Sequence, residues 1–257
     1  MSLSLSEKWH VVRDVRMCPG HPSESPRFWV SIFCCNPTKR TTHFVLLISS
    51  QGKRKVSMDS VWQNVVTALE VDPAVADQWL AKLKEQYGQP GRHYHNEQQM
   101  LAKKLEHLAG ASVCLQLATL FQYFHFDAGR DCGAENCDAL KEFLASASVD
   151  NKALINNVLR LLGDASVESS DLPDDDVAFF QDLDLLILGH PPQEYKVYTE
   201  QLRKEYPEPA SYNKMRLKIL QSFSRIPFIY ATKEFGDRYE QTARANIESE
   251  IKELESL

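Results

Sequence analysis

No stretch of this sequence is apolar for long enough to cross a bilayer: runs such as HFVLLIS at residues 43–49 fall far short of the ~20 residues a helical span requires. The opening MSLSLSEKWHVVRD also lacks the uninterrupted apolar centre of a secretory leader, because charges stand where that centre would be. A cytoplasmic or nuclear protein without a membrane partner is the expectation. An excess of positive charge is missing too. With a formal net charge of -6 the chain has no broad basic field to hold a nucleic-acid backbone, and only Lys39 to Lys55 is locally basic. The six cysteines, at positions 18, 34, 35, 114, 132 and 137, form no repeated pair of zinc-finger or ribbon spacing, so free thiols are expected. Equally absent are a glycine-rich phosphate loop, an HExxH helix and a serine nucleophile elbow, which removes the commonest signatures of nucleotide, metalloprotease and esterase chemistry.

What the chain does have is size and a helical period. Its 257 residues, 43% of them hydrophobic, can bury a core without a disulfide or a structural metal. Residues 1–55 differ from the rest, carrying Pro19, Pro22, Pro26 and Pro37 between short β-type pieces. FWVSIFCC and THFVLLIS, joined by NPTKRT, suggest a hairpin in this N-terminal extension. From residue 56 to 257 apolar residues recur three and four apart, as on the buried faces of amphipathic helices. Trp62, Val65, Val66 and Leu69 share one face. Asp72 before Pro73 predicts an N-cap with proline at the first helical position, followed by Val75, Trp79, Leu80 and Leu83 inward and an end near Gly88. Asn96 predicts a second cap, with Met100, Leu101, Leu105 and Leu108 inward. Residues 112–124 are apolar nearly all round and predict the central helix, with outer helices at 135–146 and 150–162. The acidic segment DASVESSDLPDDD predicts a loop whose following helix is capped by Asp174 or Asp175. Further helices are expected around Tyr195 to Leu202, over 211–223, and over 228–255 with Phe228, Phe235, Tyr239, Ala243, Ile247, Ile251 and Leu254 inward. The fold class predicted is all-α.

Three polar groupings stand out. GRHYHN contains Arg92, His93 and His95 before a helix start, where it is either a hydrogen-bonded cap or an anion site at the helix amides. His125 and Asp127 follow the central helix and suggest either a histidine hydrogen-bonded to Asp127 or a metal-binding pair. Asp182 and Asp184 lie inside the apolar FFQDLDLLILG, and a carboxylate buried there requires a partner. Arg92, Arg203, Arg216 and Arg244 are the arginine candidates.

Taken together, RHYHNEQQM, LATLFQYFHFD, ENCDAL, FFQDLDLLILG, EYKVYTEQLRKEY, YNKMRLKIL and YEQTARANIESEI resemble, in order and spacing, a family of metal-dependent phosphohydrolases of the HD superfamily. The resemblance covers residues 58–256 and implies an HD-domain-like helical bundle in which a histidine, a His-Asp pair and a distant aspartate hold a divalent metal. Arg92, Tyr94, His95 and Asn96 match the family pattern, but Gln99 stands at its first ligand position. Gln122 and Tyr123 replace the His-Asp pair, and Asp184 alone is kept, beside Asp182. Met215 replaces the glycine before Arg216; Arg203, Glu205, Glu240, Arg244 and Asn246 match other polar positions. The resemblance thus implies a bundle with an extinguished metal centre: a pseudoenzyme with a binding or scaffolding role, no cofactor, and a protein or small phosphorylated molecule as partner. Arg92, His93, His95, Arg203, Arg216 and Arg244 are its candidate anion-binding residues. The alternative is a phosphohydrolase of a small phosphorylated metabolite or nucleotide, with a divalent metal held by a rearranged set of His95, His125, Asp127 and Asp184.

Overall fold

The computed structural model describes residues 56–257 apart from Glu168; the N-terminal extension and the hairpin expected in it lie outside the described residues. Among the described residues the fold is an all-α bundle without strands. Its helices are α1 (Met58–Ala68), α2 (Pro73–Tyr87), a π-helical turn (Glu97–Leu101) running into α3 (Ala102–Leu105), α4 (Val113–Phe121), α5 (Gly133–Ser146) and α6 (Lys152–Leu162). Then come α7 (Asp174–Leu185), a 3₁₀ turn (Leu186–Gly189), α8 (Pro192–Lys204), α9 (Pro209–Arg225) and α10 (Lys233–Glu255). No helix of the described residues is long and apolar enough to cross a membrane.

The expected caps at Asp72 and Asn96 form. Asp72 accepts the amides of Ala74 and Val75, and Asn96 accepts that of Gln99. Helix α4 is the centre of the N-terminal half and packs on α1, α5 and α6. Its Phe121 belongs to an aromatic cluster with Trp62, Trp79 and Phe143, ring centroids lying 5.0–5.9 Å apart. Burying each such ring contributes roughly 1.5–3 kcal/mol. The indoles are not left unsatisfied, since Trp62 donates to the Ala76 carbonyl and Trp79 to the Ser146 hydroxyl.

Several boundaries differ from the sequence reading, three of them with a cause in the surrounding structure. Helix α7 has no aspartate cap: Pro173 precedes it, and Asp174, Asp175 and Asp176 fill its first turn, where carboxylates favour the positive end of the helix dipole. Helix α9 starts earlier than expected because Pro209 occupies its first turn. The last helix starts later, at Lys233 behind the Thr232 cap, and Phe228 is left exposed. The cause is a set of side chains that hold the preceding backbone out of helix. Glu240 accepts the amides of Ile229 and Tyr230, Arg244 donates to the carbonyls of Ile226 and Pro227, and Asp182 accepts from Ala231 and Thr232. Asp182 thus accepts from two backbone amides and a hydroxyl.

Helix α10 packs on α9 and on the 3₁₀ turn, and that turn carries a steric constraint. A Cβ on Gly189 would lie 2.5 Å from Tyr239 Cβ and 2.8 Å from the Tyr230 hydroxyl. Gly189→Ala is expected to lower the urea midpoint by an amount equivalent to about 1–3 kcal/mol at unchanged m-value, because one of the two packed elements must move.

Candidate functional site

A cavity of about 140 Å³ lies between the turn after α4, the end of α7, and the inner faces of α8 and α9. It gathers many of the residues that the sequence singled out. His95, Tyr123, His125, Asp127, Asp184 and Arg216 all line it, whereas Arg92, His93, Gln99, Arg203 and Arg244 do not.

On one side of the cavity sits a residue the sequence reading missed. Lys104, on α3, is buried and forms an ion pair with Asp184 of α7; their side chains are 5% and 8% exposed. Its ammonium also donates to Gln122 Oε1 at 2.9 Å and lies 4.8 Å from the centre of the Tyr123 ring. Gln122 Nε2 donates to Asp184 Oδ2 at 2.7 Å, and the Tyr123 hydroxyl donates to Asp184 Oδ1 at 3.2 Å. Three of the four positions expected to form the vestigial metal centre, Gln122, Tyr123 and Asp184, are thus together, closed around an ammonium. Gln99 is half-buried on the π turn and off the cavity wall. The signal for Lys104 was present: it stands four residues after Met100 and four before Leu108, in the middle of an apolar stripe where an unpaired charge would be costly.

These groups suit a divalent cation poorly. An amide and a phenol replace imidazole and carboxylate, one carboxylate remains, and a cation placed there would have to displace Lys104 from it. Among the described residues, no three His, Cys, Asp or Glu side chains gather as a metal site. The rearranged set of His95, His125, Asp127 and Asp184 does not form such a group. Helix α4 has ended at Phe121, so His125 is not one helical turn beyond Gln122. The Asn136 amide group accounts for this, donating to the Gln122 carbonyl and accepting the His125 amide at 2.7 Å each. Burial lowers the His125 pKa and favours the neutral ring. No hydrogen bond joins that ring to Asp127, whose carboxylate accepts the Gly129 amide and pairs with Arg130.

His95 is held by Glu205 in the turn after α8. Glu205 accepts the amides of Tyr94 and His95 at 2.7 and 2.8 Å and lies 2.6 Å from His95 Nδ1. Burial by itself would raise the Glu205 pKa; the His95 ring and the two amides outweigh it and hold the carboxyl below its ordinary value. On the other face, His95 stacks on Phe126 at 4.0 Å.

The expected anion-binding residues are not assembled into one site. Arg92 donates to the carbonyls of Tyr123 and Phe124 at 2.6 and 2.8 Å and so closes the end of α4. His93 and Arg203 are exposed. Arg244 pairs with Glu240, one turn before it on α10, at 2.6 Å. Arg216 makes two hydrogen bonds of 2.9 Å to Glu250 and one of 3.1 Å to each of the Tyr198 and Tyr195 hydroxyls. Burial opposes the Arg216 charge, but Tyr198, Tyr195 and Glu250 outweigh it and raise its pKa further. Every charged residue on the cavity wall therefore faces an opposite charge: Lys104 with Asp184, Arg216 with Glu250, and Arg130 with Asp127 and Glu135.

Three variants test this geometry. Lys104→Met removes the ammonium from the buried Asp184 carboxylate and is expected to cost about 3–5 kcal/mol in chemical unfolding, most of it restored in the Lys104→Met/Asp184→Leu double variant. Glu205→Gln is expected to cost about 1–3 kcal/mol at neutral pH. Because Glu205 is depressed in the fold, its contribution is complete above the unfolded carboxyl pKa of about 4.3. It is lost as pH falls through the lower folded value, so thermal unfolding of the wild type and Glu205→Gln should converge in acid.

Protein-family models, curated proteins and solved structures contain no match to this chain, and the likeness to the HD phosphohydrolases rests on the seven sequence segments alone.

Proposed function

We propose that this chain is an HD-like helical protein that binds a ligand without hydrolysing it, the Lys104 ammonium standing where such bundles hold a divalent metal. The observation that carries this reading is the closed set of Lys104, Asp184, Gln122 and Tyr123. Asp184 is the one ligand kept from the expected motif, and it is paired with a buried lysine. The lysine supplies a positive charge at that place without a metal ion. An ammonium has three donors and no open coordination position, so it can neither bind water as a ligand nor acidify it to a hydroxide nucleophile as a metal ion does.

The surroundings support binding in preference to hydrolysis. Of the histidines on the cavity wall, His95 is oriented through Nδ1 by Glu205 and His125 is fixed through its backbone amide by Asn136, and without a metal-bound water neither has a hydroxide nucleophile to work on. The cavity remains, with apolar residues including Met100, Leu185, Ile187 and Leu188 beside polar and charged ones held in fixed positions, a mixture that can orient a small molecule.

The test is elemental analysis of untagged protein incubated with Mn, Fe, Zn, Mg, Co or Ni salts and desalted, followed by a phosphoester screen. Metal-to-chain ratios near zero and no turnover are expected. A ratio near one, with metal-dependent turnover abolished by Asp184→Ala, would establish the phosphohydrolase instead.

A further inference from the structure

The outer face of α9 carries charge that the fold itself does not use. Residues 209–233 contain no Asp or Glu, the longest such run among the described residues, in a chain whose formal net charge is -6. Helix α9 buries Tyr212, Arg216, Ile219, Leu220 and Phe223, which sets the direction of its inner face. At ~100° per residue, Lys214, Lys218 and Arg225 fall on the opposite side, within about 40° of one another, and all three are exposed. They form a stripe roughly 16 Å long. Among the described residues none of the three pairs with a carboxylate, whereas on α10 Lys233, Arg244 and Lys252 each pair with one four residues away. Just past the stripe stands Phe228, 64% exposed and the one exposed aromatic ring of Phe, Tyr or Trp among the described residues. The backbone on either side of it is fixed, by Arg244 at Pro227 and by Glu240 at Ile229.

We propose that this face docks an acidic segment of a protein partner, its carboxylates spaced along the three cations and an apolar side chain set against Phe228. The surface is separate from the cavity, whose wall includes none of these four residues, and its role goes beyond the binding reading. Charge complementarity fixes the sign of the partner. The width of the patch fixes its class. The stripe is one helix wide and is bordered by carboxylates: Glu208 precedes α9, and Glu255 of α10 accepts from Gln221 at 3.3 Å. A narrow acidic segment laid along α9 meets the cations alone, whereas a flat anionic membrane or a nucleic-acid duplex would meet these carboxylates too and be repelled by them. The chain's own first 55 residues have the wrong sign for this face, with nine Lys and Arg against three Asp and Glu. An exposed aromatic beside a row of unpaired charge is the pattern of a protein interface, where the ring supplies buried area and the charges supply register and on-rate.

The experiment is titration of the full chain into a fluorescein-labelled amphipathic peptide carrying glutamates at helical spacing and a leucine near its end, followed by fluorescence anisotropy. Saturable binding that weakens as salt rises is expected, with none to the same peptide bearing glutamine for glutamate. Lys214→Glu/Lys218→Glu should weaken the complex about tenfold or more, and Phe228→Ser about fivefold. Lys152→Glu/Arg160→Glu, an equal charge reversal at exposed positions of α6, should change the affinity less than about twofold, because charges beyond a Debye length are screened. All the substituted side chains are exposed, so the Tm of each variant should match that of the wild type. Absence of binding, or an equal loss from the α6 reversal, would overturn the proposal. Tighter binding to phosphatidylserine vesicles or to a DNA duplex would overturn it in favour of a lipid or nucleic-acid surface. Self-association of the wild type, abolished by Lys214→Glu/Lys218→Glu, would replace the partner with a second copy of this chain. Metal uptake and phosphoester turnover are read in a separate assay, so failure of the cavity reading and failure of this one are distinguishable.

Discussion

A lysine and an aspartate withdrawn from water hold the centre of this bundle, and each is tolerable only because the other is there. Removing either ion from solvent costs several kcal/mol, and the attraction between them offsets this only with good geometry and further hydrogen bonds. Lys104 and Asp184 have both: Gln122 bridges them, donating to Asp184 and accepting from Lys104, and the Tyr123 hydroxyl takes up more of the carboxylate. The pair ties α3 to α7 across 80 residues of chain and brings the end of α4 between them. The position of the cavity follows, because its wall is built on these same segments.

The second buried pair, Arg216 with Glu250, does for the C-terminal half what Lys104 and Asp184 do for the middle. It joins α9 to α10 and is closed by the hydroxyls of Tyr195 and Tyr198 on α8. Asn246 adds a polar tie, donating to the carbonyls of Leu188 and His190 and so holding the 3₁₀ turn against α10. Of the residues whose chemistry suggested an anion site, Arg92, His95, Arg216 and Arg244 thus act as internal braces. Compensated charge inside a cavity favours a neutral occupant over a phosphate, and this separates the proposed binding role from the expectation of a small phosphorylated partner.

Much of the helical framework was legible in the sequence, because caps and periodicity are local. Asp72 with Pro73, and Asn96, mark helix starts where they were expected, and Trp79, Leu83, Met100 and Leu105 are buried as their spacing predicts. Boundaries set from a distance were not legible. Nothing within residues 226–232 reveals that Asp182, Glu240 and Arg244 keep that stretch out of helix. The site shows the same division. The sequence marks Asp184 as a carboxylate in need of a partner and offers arginines for it, whereas the structure pairs it with a lysine on the apolar face of α3. Lys104 and Glu250 could each have been found as a charge standing within a helical row of apolar residues. The choice of Glu250 as the partner of Arg216, 34 residues away, required the tertiary fold.

The central claim is that an ammonium, and no metal ion, occupies the space beside Asp184. It is tested most directly by a crystal structure of the protein grown with manganese, read by anomalous diffraction at the manganese edge. The account predicts no anomalous peak among Gln122, Tyr123 and Asp184, with Lys104 Nζ in hydrogen-bond contact with the Asp184 carboxylate. A manganese peak on Asp184, with Lys104 turned away from it, would contradict the account.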